Sequence, residues 1–275
     1  MSHTIYIQSI GLFGTGFENW ASAERILSGE QPYVATAAVP PSPEWLPPAE
    51  RRRTSDIIRL AMVAGKEALA NSQSSPSESA TVFSSSGGSG EVIHQICESL
   101  ASDDRDVSPT RFHNSVHNAP AGYWGIAAKN EWPSTSLCGH NESFAVGLIE
   151  AIAQAKSQSH SVLLLVHDLP YPEPLNGVRT VHGLFSLALL LTSKRDEKSI
   201  YALHLEMGIA EQDKDLVTTL ADESLEHFRL GNPAARALPL LVAIAKKSNA
   251  PFTMLGTNQT LLKMSVQNVN ATSYT

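Results

Sequence analysis

The period of apolar positions changes several times along this chain, and each change marks an element. Ile5 to Ile10 alternates and is rich in β-formers, which predicts a strand, with Gly11, Gly14 and Gly16 predicted to break it. A short helix is predicted over 19–27. Residues 31–48 hold six prolines and read as an extended arm. From Thr54 the spacing becomes helical, with Ile57, Leu60, Ala61, Ala64 and Ala68 on one face. A serine-rich loop, a strand over 80–83 and a helix near 91–100 follow. Ser161 to His167 (SVLLLVH) and Leu184 to Thr192 are continuous apolar runs, the mark of strands buried on both faces. Ile200 to Met207 alternates again. A helix over 240–247 and a final strand over 261–266 complete the pattern, with fraying expected from Asn268. Strands alternating with helices predict an α/β fold with helices on both faces of the sheet.

The densest clustering of chemistry lies in 108–151. His113, Asn114, Ser115, His117 and Asn118 fall within six positions, in a segment predicted to be a loop before Ala119. A small-residue helix comes next. Then a short strand ends at Cys138-Gly139-His140 and runs into a helix from about Asn141. A strand feeding a helix N-terminus is a common nucleophile site, because free backbone N–H groups there can hold an oxyanion. Cys138 fits either a nucleophile or a small buried residue. His113 and His117 are spaced like metal ligands on a helix, but the loop reading and the lack of an acidic third ligand count against a metal site. Asn114, Ser115 and Asn118 suit hydrogen bonding to backbone at a tight crossing or an interface. Tyr123 and Trp124 fit interface anchoring and core packing equally. The Ser84–Gly90 turn is glycine-rich, yet it lacks the Lys-Ser/Thr and the GxGxxG spacing of phosphate cradles, so it reads as a tight strand-to-helix turn.

Composition narrows the function. The chain has 275 residues and a net charge of -7, which leaves no basic stripe for nucleic acid. The one basic run, Arg51-Arg52-Arg53, is read as a solvated helix start or an interface anchor. Two cysteines cannot build a disulfide framework and point to a reducing, cytoplasmic setting. No apolar run approaches a membrane span, and the N-terminus does not read as a signal peptide.

In this central stretch the sequence resembles the β-ketoacyl synthases of the thiolase superfamily. PTRFHNSVHNAPAGYWGIA matches the segment before their dimer-interface helix, and STSLCGHNESFAVGLIEAI matches their nucleophile elbow. The subfamily it resembles is the short chain-length factors of aryl polyene-type clusters, through NSVHNAPAGYW, Glu142-Ser143-Phe144-Ala145 and the HDLPYPEPL segment. The likeness is specific in the central third and weak beyond Ser199, apart from the closing LGTNQTLL.

The resemblance implies a thiolase-like layered αβαβα fold with a complete N-terminal half and a truncated C-terminal half. Residues 1–275 would form a single domain, with 1–198 the first half and 199–275 a reduced second half. Anchored on Ala145 and Gly147, the nucleophile position falls on Gly139, with Cys138 just before it. The two histidines a working ketosynthase needs, in H-G-T and G-H contexts, have no counterpart; His204 and His227 stand in neither. The elbow Cys138, Gly139, His140 is therefore expected to be degenerate, with no catalytic residue, cofactor or metal. The implied role is a non-catalytic chain-length factor. It would pair with an active β-ketoacyl synthase, shape its acyl tunnel and meet its acyl carrier protein, joining edge strands into one sheet. Phe112, Asn114, Ser115, Val116, His117, Asn118, Tyr123 and Trp124 are the candidate partner and tunnel residues. The alternative is an acyltransferase or ketosynthase-like enzyme using Cys138, with His113, His117 or His140 as base.

Overall fold

A computed structural model describes residues 2–158, 160–209 and 217–269. In chain order the elements begin with β1 (Ser2–Gly14), α1 (Trp20–Ser28), α2 (Pro48–Arg51), α3 (Asp56–Ser72), β2 (Ala80–Ser84) and α4 (Gly90–Ala101). The middle of the chain forms α5 (Pro109–Asn114), α6 (Ala119–Ala128), β3 (Ser134–Leu137), α7 (Ser143–Gln158), β4 (Val162–Asp168), α8 (Leu175–Val178) and β5 (Phe185–Thr192). The last third forms β6 (Tyr201–Ile209), α9 (Glu223–Gly231), α10 (Leu238–Ala245), β7 (Phe252–Leu255) and β8 (Thr260–Asn268).

The strands make one eight-stranded mixed sheet in the order β3-β2-β4-β5-β1-β6-β8-β7. The β3, β2 and β4 strands are parallel, and the remaining pairs are antiparallel. The C-terminal strands thus add to the β1 edge, while β3 is the opposite edge.

The continuous apolar strands do cover both faces. Along β4, Val162, Leu164 and Val166 face the larger core with Phe144, Leu148 and Ile152 of α7 and the aliphatic residues of α10. Leu163 and Leu165 face the second core, with Ile58, Ala61 and Ala68 of α3 and Trp124 of α6. In β1 the alternation slips. Ile5 and Ile7 share a core with Ile10 and Leu12 because a bulge between Ile7 and Ser9 inserts one residue.

Gly11 does not end β1, as the pattern predicted. It lies mid-strand because α3 presses on it: a Cβ there would stand 2.0 Å from the Ala64 carbonyl oxygen. Glu67 of α3 locks the same region. Its two carboxylate oxygens accept from the backbone N–H of Leu12 and of Trp20, each at 2.8 Å, tying β1 to the start of α1. The helix predicted over 19–27 is α1, with Asn19 as its cap rather than its first residue.

Other boundaries differ from expectation. Residues 109–114 are helical rather than loop, with Pro109 in the first turn where its missing N–H costs nothing. The periodicity of α9 and the four residues of β7 were not read as elements. Asn268 closes β8 instead of fraying, and the Val269 N–H donates to the Ile200 carbonyl at 2.9 Å; the rest of the predicted frayed end, 270–275, lies outside the described residues.

Candidate functional site

Parallel pairing brings the carboxyl ends of β2, β3 and β4 to one end of the sheet, where open α/β sheets commonly bind ligands. Three segments converge there: Ser84–Gly88 after β2, Cys138–Glu142 after β3, and His167-Asp168 closing β4.

The turn after β3 is built by Ser143. Its hydroxyl donates to the His140 carbonyl at 2.8 Å and accepts from the Gly139 N–H at 3.1 Å. The Glu142 N–H donates to the Gly139 carbonyl at 3.0 Å. The elbow thus spends the Gly139 N–H on its own turn, whereas an oxyanion hole requires that donor to point outward. His140 adopts a left-handed backbone, φ 55°, and its Nε2 meets the Arg179 guanidinium. Cys138 is exposed, and its Sγ donates to the Ser86 carbonyl at 3.1 Å. Among the described residues no imidazole is hydrogen-bonded to Cys138. His117 pairs with Ser85 Oγ at 3.1 Å, and His113 packs edge-on to Tyr123 with ring centroids 6.1 Å apart. Helix α5 ends at Asn114, so His113 and His117 do not share a helix face. Among the described residues no cluster of three metal-ligating side chains is present.

Two titratable groups missed in the sequence form the floor. Asp168 is buried, and its Oδ1 accepts from the Ser86 N–H at 2.8 Å and the Ser86 hydroxyl at 2.7 Å. Burial pushes its pKa up to about 7, against the opposing pull of the Ser86 hydrogen bonds, the Arg179 charge and the Ala234 amide. Burial, with the His117 charge adding, lowers His167 to about 3. The visible signal was a His-Asp pair closing a strand buried on both faces. Tyr171 covers the glycine-rich turn, since a Cβ on Gly87 would stand 2.0 Å from its hydroxyl oxygen and one on Gly90 2.4 Å from its ring. The space a phosphate cradle would need is filled by that ring.

The candidate partner residues separate into two groups. Phe112 and Val116 are 69% and 52% exposed, Asn118 is exposed, and Ser115 and His117 are half-buried. Tyr123 and Trp124 are instead 1% exposed. Trp124 packs edge-on against Trp45 and Phe83, and Tyr123 donates to Asn114 Oδ1 at 3.1 Å. Asn114 is itself buried and donates to the Arg53 carbonyl at 2.6 Å. These three residues support the surface from behind rather than present themselves on it. The helix predicted near 91–100 is α4; it packs beside α5 and adds to this surface a face the sequence did not assign to it, with Ile93, Cys97 and Leu100 exposed at helical spacing. Between the start of α6 and the β3 edge lies a cleft of about 530 Å³, lined by His117, Asn118, Ala121, Gly122, Ser134 and Ser136.

Residues 20–231 match the family described as beta-ketoacyl synthase, N-terminal domain. The chain belongs to that family. Its fold is the thiolase-like fold of the ketosynthases. It is similar to a chain of the ketosynthase (ApeO)–chain length factor (ApeC) complex from Xenorhabdus doucetiae, with 24% identity and a TM-score of 0.71 over 95% of this chain and 99% of that one. It is similar to a chain of the ishigamide ketosynthase/chain length factor, with 13% identity and a TM-score of 0.72 over 96% and 99%. It also resembles a chain of AntDE:AntF, a type II PKS acyl-carrier protein in complex with its ketosynthase, with 10% identity and a TM-score of 0.76 over 98% and 100%. A comparison with curated protein sequences finds no match. Among the described residues no helix is long and apolar enough to cross a membrane. In this ketosynthase-family chain, the position read as the nucleophile's is Gly139, and a Cβ there would stand 2.8 Å from Val146 Cγ2.

Proposed function

We propose that this chain is a non-catalytic ketosynthase-like subunit, a chain-length factor, that pairs with an active β-ketoacyl synthase in the cytoplasm. It would help to shape that enzyme's acyl tunnel in polyene-, fatty acid- or polyketide-type elongation. The observation that carries this reading is Gly139. It offers no side chain for a thioester, its N–H is already bonded to Ser143, and Val146 fills the place a side chain would take. The partner surface comprises the exposed face of α4 and α5, the α6–β3 cleft and the open edge of β3. Exposed edge strands invite pairing, and Phe112 and Val116 supply apolar contact. In this reading residues 1–198 carry the docking half and 199–275 a reduced second half of one domain, and an acyl carrier protein meets the assembled pair.

The test is to incubate the chain, alone and co-purified with its neighbouring ketosynthase, with cerulenin, and to record intact masses. Label confined to the partner in a one-to-one complex supports the proposal. Absence of a complex overturns it.

A second reading rests on the exposed Cys138 at a strand–helix junction. There the chain is an acyltransferase. Rapid label on Cys138, with turnover lost in Cys138→Ala while the fold survives, would establish it.

A further inference from the structure

The run Arg51-Arg52-Arg53 plays no part in the fold's core or in the elbow, yet it is mounted with care. It closes α2 and turns toward α3. The Thr54 hydroxyl donates to the Arg51 carbonyl at 2.8 Å, and Arg59 Nε donates to Thr54 Oγ1 at 2.9 Å. The buried Asn114 then fastens the Arg53 carbonyl to α5 at 2.6 Å, and is itself held by Tyr123 of α6. A buried asparagine thus fixes an arginine-bearing turn to α5, which carries Phe112, and to the turn after it, which carries Val116. Arg111 stands three residues before Asn114, on the same side of α5, and brings a further charge to this junction. Arg52, Arg53 and Arg111 are exposed.

The neighbouring carboxylates offset only part of this charge. Glu50 pairs with Arg53 at 3.3 Å and Asp56 with Arg59 at 3.6 Å. Among the described residues, Arg52 and Arg111 have neither an ion pair nor a side-chain hydrogen bond. In a chain of net charge -7 this is a local reversal of sign at the rim of an exposed apolar face. Such a rim contributes more to orientation and association rate than to affinity.

We propose that Arg52, Arg53 and Arg111 form an electrostatic docking rim that receives an acidic segment of the partner ketosynthase subunit beside the Phe112–Val116 face. The inference rests on the pairing reading above and adds the chemistry of the partner's facing surface.

Association of the full chain with the partner subunit is followed by stopped-flow fluorescence across a salt series. The wild type is compared with Arg52→Glu/Arg53→Glu/Arg111→Glu and with the matching triple glutamine variant. Charge reversal should slow association roughly tenfold or more at low salt, with the glutamine variant between the two. The difference should vanish near 1 M salt, where the screening length is about 3 Å, and dissociation rates should change little. Equal on-rates at low salt, or a loss independent of salt, overturn the inference while leaving the pairing reading intact. So does wild-type pairing kinetics accompanied by lost binding of an acyl carrier protein to the assembled pair, which would assign the rim to that protein instead. If the wild type forms no complex, the pairing reading fails and this inference with it.

Discussion

Gly139 lies under Val146, so closely that a Cβ added to the glycine would stand 2.8 Å from Val146 Cγ2 and 3.1 Å from the Glu142 carbonyl oxygen. The backbone at Gly139 has φ -127°, which any residue adopts, so the obstacle to a side chain here is space and not conformation. Gly139→Cys should therefore fold with a loss of about 1–3 kcal/mol from overpacking, read as a lower urea midpoint. Val146→Ala in the same chain should recover part of it. Neither variant should gain cerulenin-sensitive turnover, because Ser143 still holds the residue 139 N–H. Turnover in Gly139→Cys would show that only the thiol was missing.

Phe112 and Trp124 lie close in sequence but serve different purposes. Trp124 is buried against Trp45, Phe83 and Gly65, where a Cβ on the glycine would stand 2.4 Å from the indole. Trp124→Ala should cost about 3–5 kcal/mol of stability. Phe112 is exposed, so Phe112→Ala should change stability by under about 0.5 kcal/mol. In the pairing reading Phe112→Ala should weaken the complex by at least about tenfold, the scale of a 1.4 kcal/mol contact. Chemical denaturation and a binding titration on the two variants separate the roles. Unchanged affinity in Phe112→Ala would remove it from the interface.

Much of this architecture was legible because burial leaves a pattern. The runs ending at His167 and Thr192 are apolar at nearly every internal position, Ser186 aside, because β4 and β5 face two cores. Gly11 misled because a glycine that admits a helix is indistinguishable in sequence from one that ends a strand; the contact with Ala64 exists only in three dimensions. Tyr123 and Trp124 show the same limit. Large aromatic residues in a small-residue helix suit a core or an interface, and the choice depends on Trp45 and Gly65, far away in the chain. The elbow's location was readable from its local order of residues. The Asp168–Ser86 floor was not, because its members are 82 positions apart and meet only through strand pairing.

Glu67 makes a prediction about the fold alone. Its two oxygens each satisfy one backbone N–H, of Leu12 and of Trp20. Burial raises its pKa, and those amides and Asn71 oppose the rise. Glu67→Gln keeps one acceptor oxygen and sets an N–H₂ against the other amide. It should cost about 1–3 kcal/mol, the scale of leaving a buried polar group unpaired. Hydrogen exchange should show protection lost first at Leu12 and Trp20. Unaltered exchange at both would mean that the carboxylate bridge does not hold β1 to α1.

His167 and Asp168 are adjacent and buried, and their titrations oppose each other. Asp168 is raised from an ordinary 3.8 to about 7. Between those values the folded chain keeps a proton that the unfolded chain has lost, so stability falls as pH rises through that window. His167 is lowered from 6.5 to about 3. Between those values the unfolded chain holds a proton that the folded chain does not, so stability rises with pH. Each slope is at most about 1.4 kcal/mol per pH unit. From pH 3.8 to 6.5 the two cancel. Removing one group should expose the other. Asp168→Asn should become more stable with rising pH across that range, relative to the wild type, while His167→Gln should become less stable, with its loss continuing toward pH 7. Urea midpoints at half-unit pH steps, with circular dichroism confirming the fold, test the pair. Parallel pH curves for the wild type and both variants would show that neither residue titrates away from its ordinary range, and that the floor beneath the elbow is wetter than its burial implies.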